Sequence, residues 1–210
     1  MFKRWTKILG SIIIMTASMG GAAKAQDANP ALTPDNTLTL VTSQGPVVIQ
    51  MLPNIAPKHV DRIKTLADQH FYDGVIFHRV IDGFMAQTGD PTGTGTGGSK
   101  LPDLQAEFTP YKYKRGTVGM ARTGDPNSAN SQFFICFTDD GCSFLTGQYT
   151  VWGQVVSGMD NVDKLAKGEP PASPDKIVTA SVGAGTTSTK TTTTVTTTIA
   201  PAVPASATGK

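Results

Sequence analysis

Apolar side chains recur at two different intervals along this chain. Over residues 37–52, TLTLVTSQGPVVIQML, two β-rich runs are split by the turn cluster Ser43-Gln44-Gly45-Pro46, which reads as a hairpin. The interval then lengthens. In APKHVDRIKTLADQHFYDG, Val60, Ile63, Leu66 and Ala67 fall on one face at helical spacing, and Pro57 suits a first helical turn. A second, shorter helix is expected at MDNVDKLAKG, with Asp160 near its start and Gly168 just past its end. The other apolar runs are short: VIFHRVI, GFMAQTG, GTVGMA, SQFFICF, YTVWGQVV and KIVTASVG. Each is rich in Val, Ile, Phe or Thr and is bounded by Gly, Asp or Pro. With the hairpin they make about eight strands against two helices. Strands so dominant in one small domain favour a closed barrel or a sandwich with helices over the open ends, and the expected fold class is mainly β, a closed eight-stranded antiparallel barrel with two capping α-helices.

The ends break this pattern. Residues 1–25 read as a signal peptide: Lys3, Arg4 and Lys7 precede a short uncharged apolar stretch, and Ala23-Lys24-Ala25 offers a cleavage site before Gln26. The apolar run is short for a membrane span, so no stable membrane insertion is expected after cleavage; an uncleaved anchor is the alternative. Residues 26–36 read as an N-terminal linker and 37–183 as the folded domain. From residue 184 the chain is Thr, Ala and Pro with little apolar mass, the composition of a disordered tail or a tether. The expected localisation is periplasmic or otherwise exported.

Charge then narrows the function classes. Residues 1–25 carry four basic side chains and no acidic one, so their loss takes the formal net charge from +2 to −2. A weakly acidic domain without a basic stripe is a poor nucleic-acid binder. The two cysteines, Cys136 and Cys142, leave two readings open: an exported chain permits a disulfide, and an apolar run equally suits a buried thiol.

Most motifs of chemistry fail. Residues 92–100, TGTGTGGSK, contain a formal G-x-G-x-x-G. Pro102 follows within a few residues and no acidic residue lies about twenty positions on, so no dinucleotide site is expected, only a mobile glycine loop. His59, His70 and His78 lack metal-ligand spacing, and neither H-E-x-x-H nor G-x-S-x-G occurs.

Three stretches survive: FHRVIDGFMAQTGD, GMARTGDPNSANSQFFICF and SFLTGQYTVWG, which set long apolar side chains beside neutral amides, with a guanidinium in the first (Arg79) and the second (Arg122). Together with the GTGTGG loop, and in this order, they resemble the cyclophilin family of peptidyl-prolyl isomerases over nearly all of residues 37–183. The short loops around PDLQAEF resemble the compact bacterial members. The resemblance implies that Arg79 is the catalytic arginine, with Phe84 and Gln87 beside it. It implies a proline-ring pocket walled by Phe84, Met85, Phe134 and Leu145. Gln87 and Gln132 would hold the substrate backbone, Ala121 and Arg122 would pair with the peptide through their main chain, and Phe144 and Tyr149 would complete the rim.

Phe144 stands where many members have Trp, which implies weak cyclosporin binding because the indole N–H is missing. Tyr149 replaces a frequent His and Arg122 a usual Asn, the latter expected to be mild if only its backbone acts. The implied partners are proline-containing unfolded or partly folded polypeptides, met by a monomer. The implied reaction breaks no bond and needs no nucleophile, metal or cofactor. The competing reading is a non-catalytic peptide-binding module on the same fold.

Overall fold

A computed structural model describes residues 29–183. The expected signal segment, the cleavage before Gln26 and the Thr-rich tail lie outside the described residues.

The opening hairpin forms as its pattern dictates. Strand β1 (Thr37–Thr42) pairs antiparallel with β2 (Gly45–Met51), and the turn is tighter than expected, because Gly45 already lies opposite Thr42. Helix α1 (Pro57–Asp68) buries Val60, Ile63, Leu66 and Ala67, the face read from their spacing, against the sheet. Its N-terminal capping side chain comes from far away in sequence. The Glu107 carboxylate accepts from the Lys58 and His59 N–H groups at 3.2 and 3.1 Å, satisfying donors that helical bonding leaves free.

The rest of the sheet comprises β3 (Arg79–Ile81), β4 (Met85–Thr88), β5 (Thr117–Met120), β6 (Phe133–Cys136), β7 (Val151–Ser157) and β8 (Ile177–Val182). A one-turn helix, α2 (Asp139–Cys142), follows β6, and α3 (Met159–Asp163) follows β7. Helix α3 is shorter than expected. By Ala166 the chain has turned away, and that N–H donates to the Asp175 carboxylate at 2.8 Å.

All eight strands join one antiparallel sheet in the order β3-β4-β6-β5-β7-β2-β1-β8. The expected closed barrel is corrected to a curled sheet, because its first and last strands, β3 and β8, form no ladder among the described residues. Single bridges cross the seam instead, Ile76 with Lys176 and Val80 with Gly168. This also shortens the expected strand VIFHRVI, since residues 74–77 bond with Asp175 and Ile177 across the seam rather than extending β3.

Two cores result, one on each face of the β4–β6–β5 region. Phe133 and Ile135 of β6 point into the main core with Leu40, Ile49, Val118 and Trp152. Phe134 and Cys136 point the other way, into a smaller cluster with Met85, Tyr113, Cys142 and Leu145. Successive residues of a strand face opposite sides, so a run apolar at every position, FFIC, serves both. Cys136 and Cys142 form a disulfide within the smaller cluster, with their Cα atoms 6.1 Å apart, so the disulfide reading holds over the buried thiol. The described part of the expected linker is tied to the domain: Asn36 is buried, and the Gln50 amide donates to the Pro30 carbonyl.

Candidate active site

The smaller core opens to solvent as a cavity of about 130 Å³. Its walls include Arg79, Phe84, Met85, Gln87, Ala121, Arg122, Phe134, Leu145 and Tyr149, so nine of the eleven residues singled out from the sequence meet in one place. Register explains the convergence. Arg79 on β3 lies opposite Gln87 on β4, Gln87 opposite Phe134 on β6, and Phe134 opposite Gly119 on β5. One row across four strands therefore presents, in order, a guanidinium, an amide, an aromatic ring and a gap. The turn Asp82-Gly83 sets this register: Gly83 takes a positive φ of 69°, and its carbonyl accepts from the Thr138 hydroxyl at 2.8 Å.

The gap at Gly119 is required. A Cβ there would lie 2.0 Å from the Tyr113 hydroxyl oxygen and 2.6 Å from the Phe134 ring. Phe134 instead lies over β5, stacked on Tyr113 with centroids 5.7 Å apart and edge-on to Tyr149 at 5.9 Å. Met85, Phe134 and Leu145 are almost wholly buried. The cavity is well below the roughly 300–1,000 Å³ of a drug-sized ligand site and suits one small ring.

Two expected residues sit elsewhere. Phe144 is 60% exposed and packs on Phe84, centroids 5.6 Å apart, as an outer rim. Gln132 belongs to a neighbouring groove of about 440 Å³ that shares Gln87, Ala121 and Arg122 with the apolar cavity. Its amide donates to the Gly95 and Gly97 carbonyls at 3.0 and 2.8 Å, while its oxygen accepts from Gln87 at 2.9 Å. Gln132 thus fixes both the glycine loop and the orientation of Gln87.

That loop, expected to be loose, is wrapped around the buried Asp90 carboxylate. The Thr92, Gly95 and Gly97 N–H groups and the Thr92 hydroxyl all donate to it, at 2.6–3.0 Å. Burial by itself pushes the Asp90 carboxyl up. These donors together outweigh it and hold the pKa down at about 2. Next to it, burial lowers the pKa of His78, favouring the neutral ring.

The Arg122 side chain is itself engaged. Its guanidinium donates to the Gln148 carbonyl through Nη2 at 3.0 Å and to the Thr123 carbonyl through Nη1 at 2.8 Å. Gly119, Tyr113 and Asp90 were not among the residues expected at the site. Only the G-D dipeptide ahead of the glycine loop hinted at one of them.

A curled eight-stranded sheet thus carries a small apolar hole edged by two guanidiniums, Arg79 and Arg122, and by the Gln87 amide that Gln132 orients. A family model for cyclophilin type peptidyl-prolyl cis-trans isomerase matches residues 37–182. A probable peptidyl-prolyl cis-trans isomerase of Brucella suis biovar 1 is 49% identical over 194 residues, covering 85% of this chain and 96% of the relative. A peptidyl-prolyl cis-trans isomerase of Helicobacter pylori is 40% identical over 134 residues, 62% of this chain and 80% of the relative. Among solved structures, a cyclophilin from Hirschia baltica superposes with a TM-score of 0.66 at 30% identity, covering 72% of this chain and 75% of that one. A Cryptosporidium parvum cyclophilin type isomerase, crystallised in the presence of the dipeptide Ala-Pro, gives 0.65 at 29% identity, covering 70% and 98%. The chain belongs to the cyclophilin-type peptidyl-prolyl cis-trans isomerase family and is an isomerase of that class.

Proposed function

We propose that the cavity takes the pyrrolidine ring of an X-Pro peptide and that Arg79 donates to the prolyl nitrogen as the peptide bond twists. The observation that carries this reading is the row Arg79–Gln87–Phe134 along one edge of a ring-sized apolar hole. Rotation about X-Pro meets a barrier of about 18–20 kcal/mol because amide resonance must be lost. In the twisted state the nitrogen becomes pyramidal and gains a lone pair. A guanidinium hydrogen bond is then stronger than in the planar ground state, which is the differential stabilisation that accelerates a reaction. Arg suits this role because it stays protonated at any working pH and presents a fixed donor fork.

Arg79 does not act alone. An acceleration of about 10⁵-fold requires about 7 kcal/mol, and one preorganised donor supplies about 3–4 kcal/mol. Confinement of the ring by Met85, Phe134 and Leu145 and restraint of the peptide by Gln87 supply the rest. The Ala121 N–H is committed to the Gln132 carbonyl at 2.9 Å, which leaves the Ala121 carbonyl and the Arg122 N–H for main-chain pairing with the substrate.

We further propose that the natural substrates are unfolded or partly folded polypeptides beyond the inner membrane, on the strength of the signal-like residues 1–25. The site reading is tested with a cis-X-Pro peptide. Arg79→Ala is expected to lower kcat/KM by more than 100-fold, and a variant at the wild-type rate would sink it. If the wild-type protein binds proline peptides yet leaves isomerisation at the spontaneous rate, the domain is a binding module instead. Fractionation of cells carrying the full chain or a form lacking residues 1–25 tests export.

A further inference from the structure

Arg79 has a second neighbour across the seam. Its Nε donates to Oε2 of Glu169 at 2.7 Å, joining residues 90 positions apart. The backbone imposes this meeting. Val80 and Gly168 exchange two hydrogen bonds, Val80 N–H to the Gly168 carbonyl at 2.8 Å and Gly168 N–H to the Val80 carbonyl at 2.9 Å. In an antiparallel bridge, the residue before one partner faces the residue after the other, so Arg79 and Glu169 stand directly opposite. Gly168 holds the position. Its φ is +145°, and a Cβ there would lie 2.6 Å from the Pro171 Cα. Arg79 is therefore flanked on one side by Gln87, its β4 partner, and on the other by Glu169.

The choice of atom matters chemically. With Nε–H bonded to a carboxylate, the guanidinium plane is pinned at its base. The two terminal nitrogens make no hydrogen bond among the described residues, and Arg79 lines the cavity. We infer that Glu169 is a positioning residue for isomerisation: it orients the Arg79 plane so that a terminal N–H meets the prolyl nitrogen only as that nitrogen pyramidalises. This inference rests on the reading of Arg79 as that donor. Preorganisation of a long flexible side chain lowers the barrier without adding a contact to the substrate. Both side chains are substantially exposed, 38% and 53%, so the pair adds little to stability and its loss leaves the fold intact.

The test uses the full chain with a cis-X-Pro peptide, kcat and KM being separated by NMR exchange measurements. Glu169→Ala is expected to lower kcat about 5- to 10-fold, with KM within about twofold and Tm unchanged. Glu169→Gln, whose amide oxygen still accepts from Nε–H, is expected to recover most of kcat. In an Arg79→Ala background, Glu169→Ala is expected to add nothing. Wild-type kcat for Glu169→Ala, or a faster one, overturns the inference while a slow Arg79→Ala keeps the reading of Arg79. An equal fractional loss in the Arg79→Ala background also overturns it, since Glu169 would then act through the scaffold. A fully active Arg79→Ala removes the parent reading itself, an outcome seen directly in that single variant.

Discussion

The Arg122 guanidinium lies over the face of Tyr149, with its central carbon 4.3 Å from the ring centroid. The same side chain bonds the Gln148 carbonyl, so it clamps the 148–149 turn against the end of β5. Tyr149 in turn meets Phe134 edge-on, so the clamp sets one wall of the apolar cavity.

Removing that clamp is expected to weaken binding rather than chemistry. Arg122→Ala forfeits a partly exposed cation–π contact of about 0.5–1 kcal/mol, which corresponds to a KM rise of about 2- to 5-fold, with kcat nearly unchanged. Arg122→Lys is expected not to restore it, because an ammonium cannot bond two carbonyls while lying flat on the ring. Steady-state kinetics on a proline peptide checks both.

Gly119→Ala tests whether the pocket depends on an empty position. The added methyl would press on Tyr113 and Phe134, displacing the ring that forms the pocket wall. Overpacking of this kind costs about 1–3 kcal/mol, so both a lower Tm and a KM raised about tenfold or more are expected. A variant with wild-type KM would show that Phe134 is not held by this contact.

The disulfide lies inside the pocket's own core. Closing so short a loop contributes about 2 kcal/mol by the chain-entropy account. Cys142→Ala is expected to lower urea-unfolding stability by about that amount, because Cys136 and Cys142 are fully buried beside Met85 and Leu145. Dithiothreitol is expected to lower wild-type stability and leave the variant unaffected.

Acid is expected to act in two windows. Burial lowers the pKa values of His59 and His78 in the fold. The unfolded chain therefore takes up protons more readily, and stability falls as pH drops from about 6.5 toward the folded values. Asp90 behaves as a depressed carboxylate. Its contribution of about 2 kcal/mol is present above pH about 4 and is lost as pH falls toward its folded pKa of about 2. Asp163, bonded to Arg115, and Asp175, bonded to Ser43, Ala166 and Gln44, are lowered as well and add to this limb. Urea melts from pH 7 to pH 3 are expected to show both declines, the lower one flattened in Asp90→Asn.

Local sequence determined a good deal here, because strand composition, turn residues and helical spacing act over a few neighbours. The hairpin of residues 37–51, the buried face of α1 and the Asp82-Gly83 turn all follow from side-chain periodicity and turn chemistry. The residue types of the pocket could be read too, because Arg79, Phe84, Met85 and Gln87 sit within one hairpin and their motif survives as a string. Tertiary structure decided what depends on partners distant in sequence. The run FFIC gave no alternation because both of its faces are buried, so only pairing showed that Phe134 faces the pocket and Phe133 the main core. The curled sheet and its bridged seam depend on β3 meeting the segment before β8, which no local pattern encodes. The same seam brings Glu169 to Arg79, and long-range packing brings Glu107 to the start of α1. A carboxylate in a loop looks alike wherever it stands in a sequence; its role is set by the register that places a cation or an unbonded N–H opposite it.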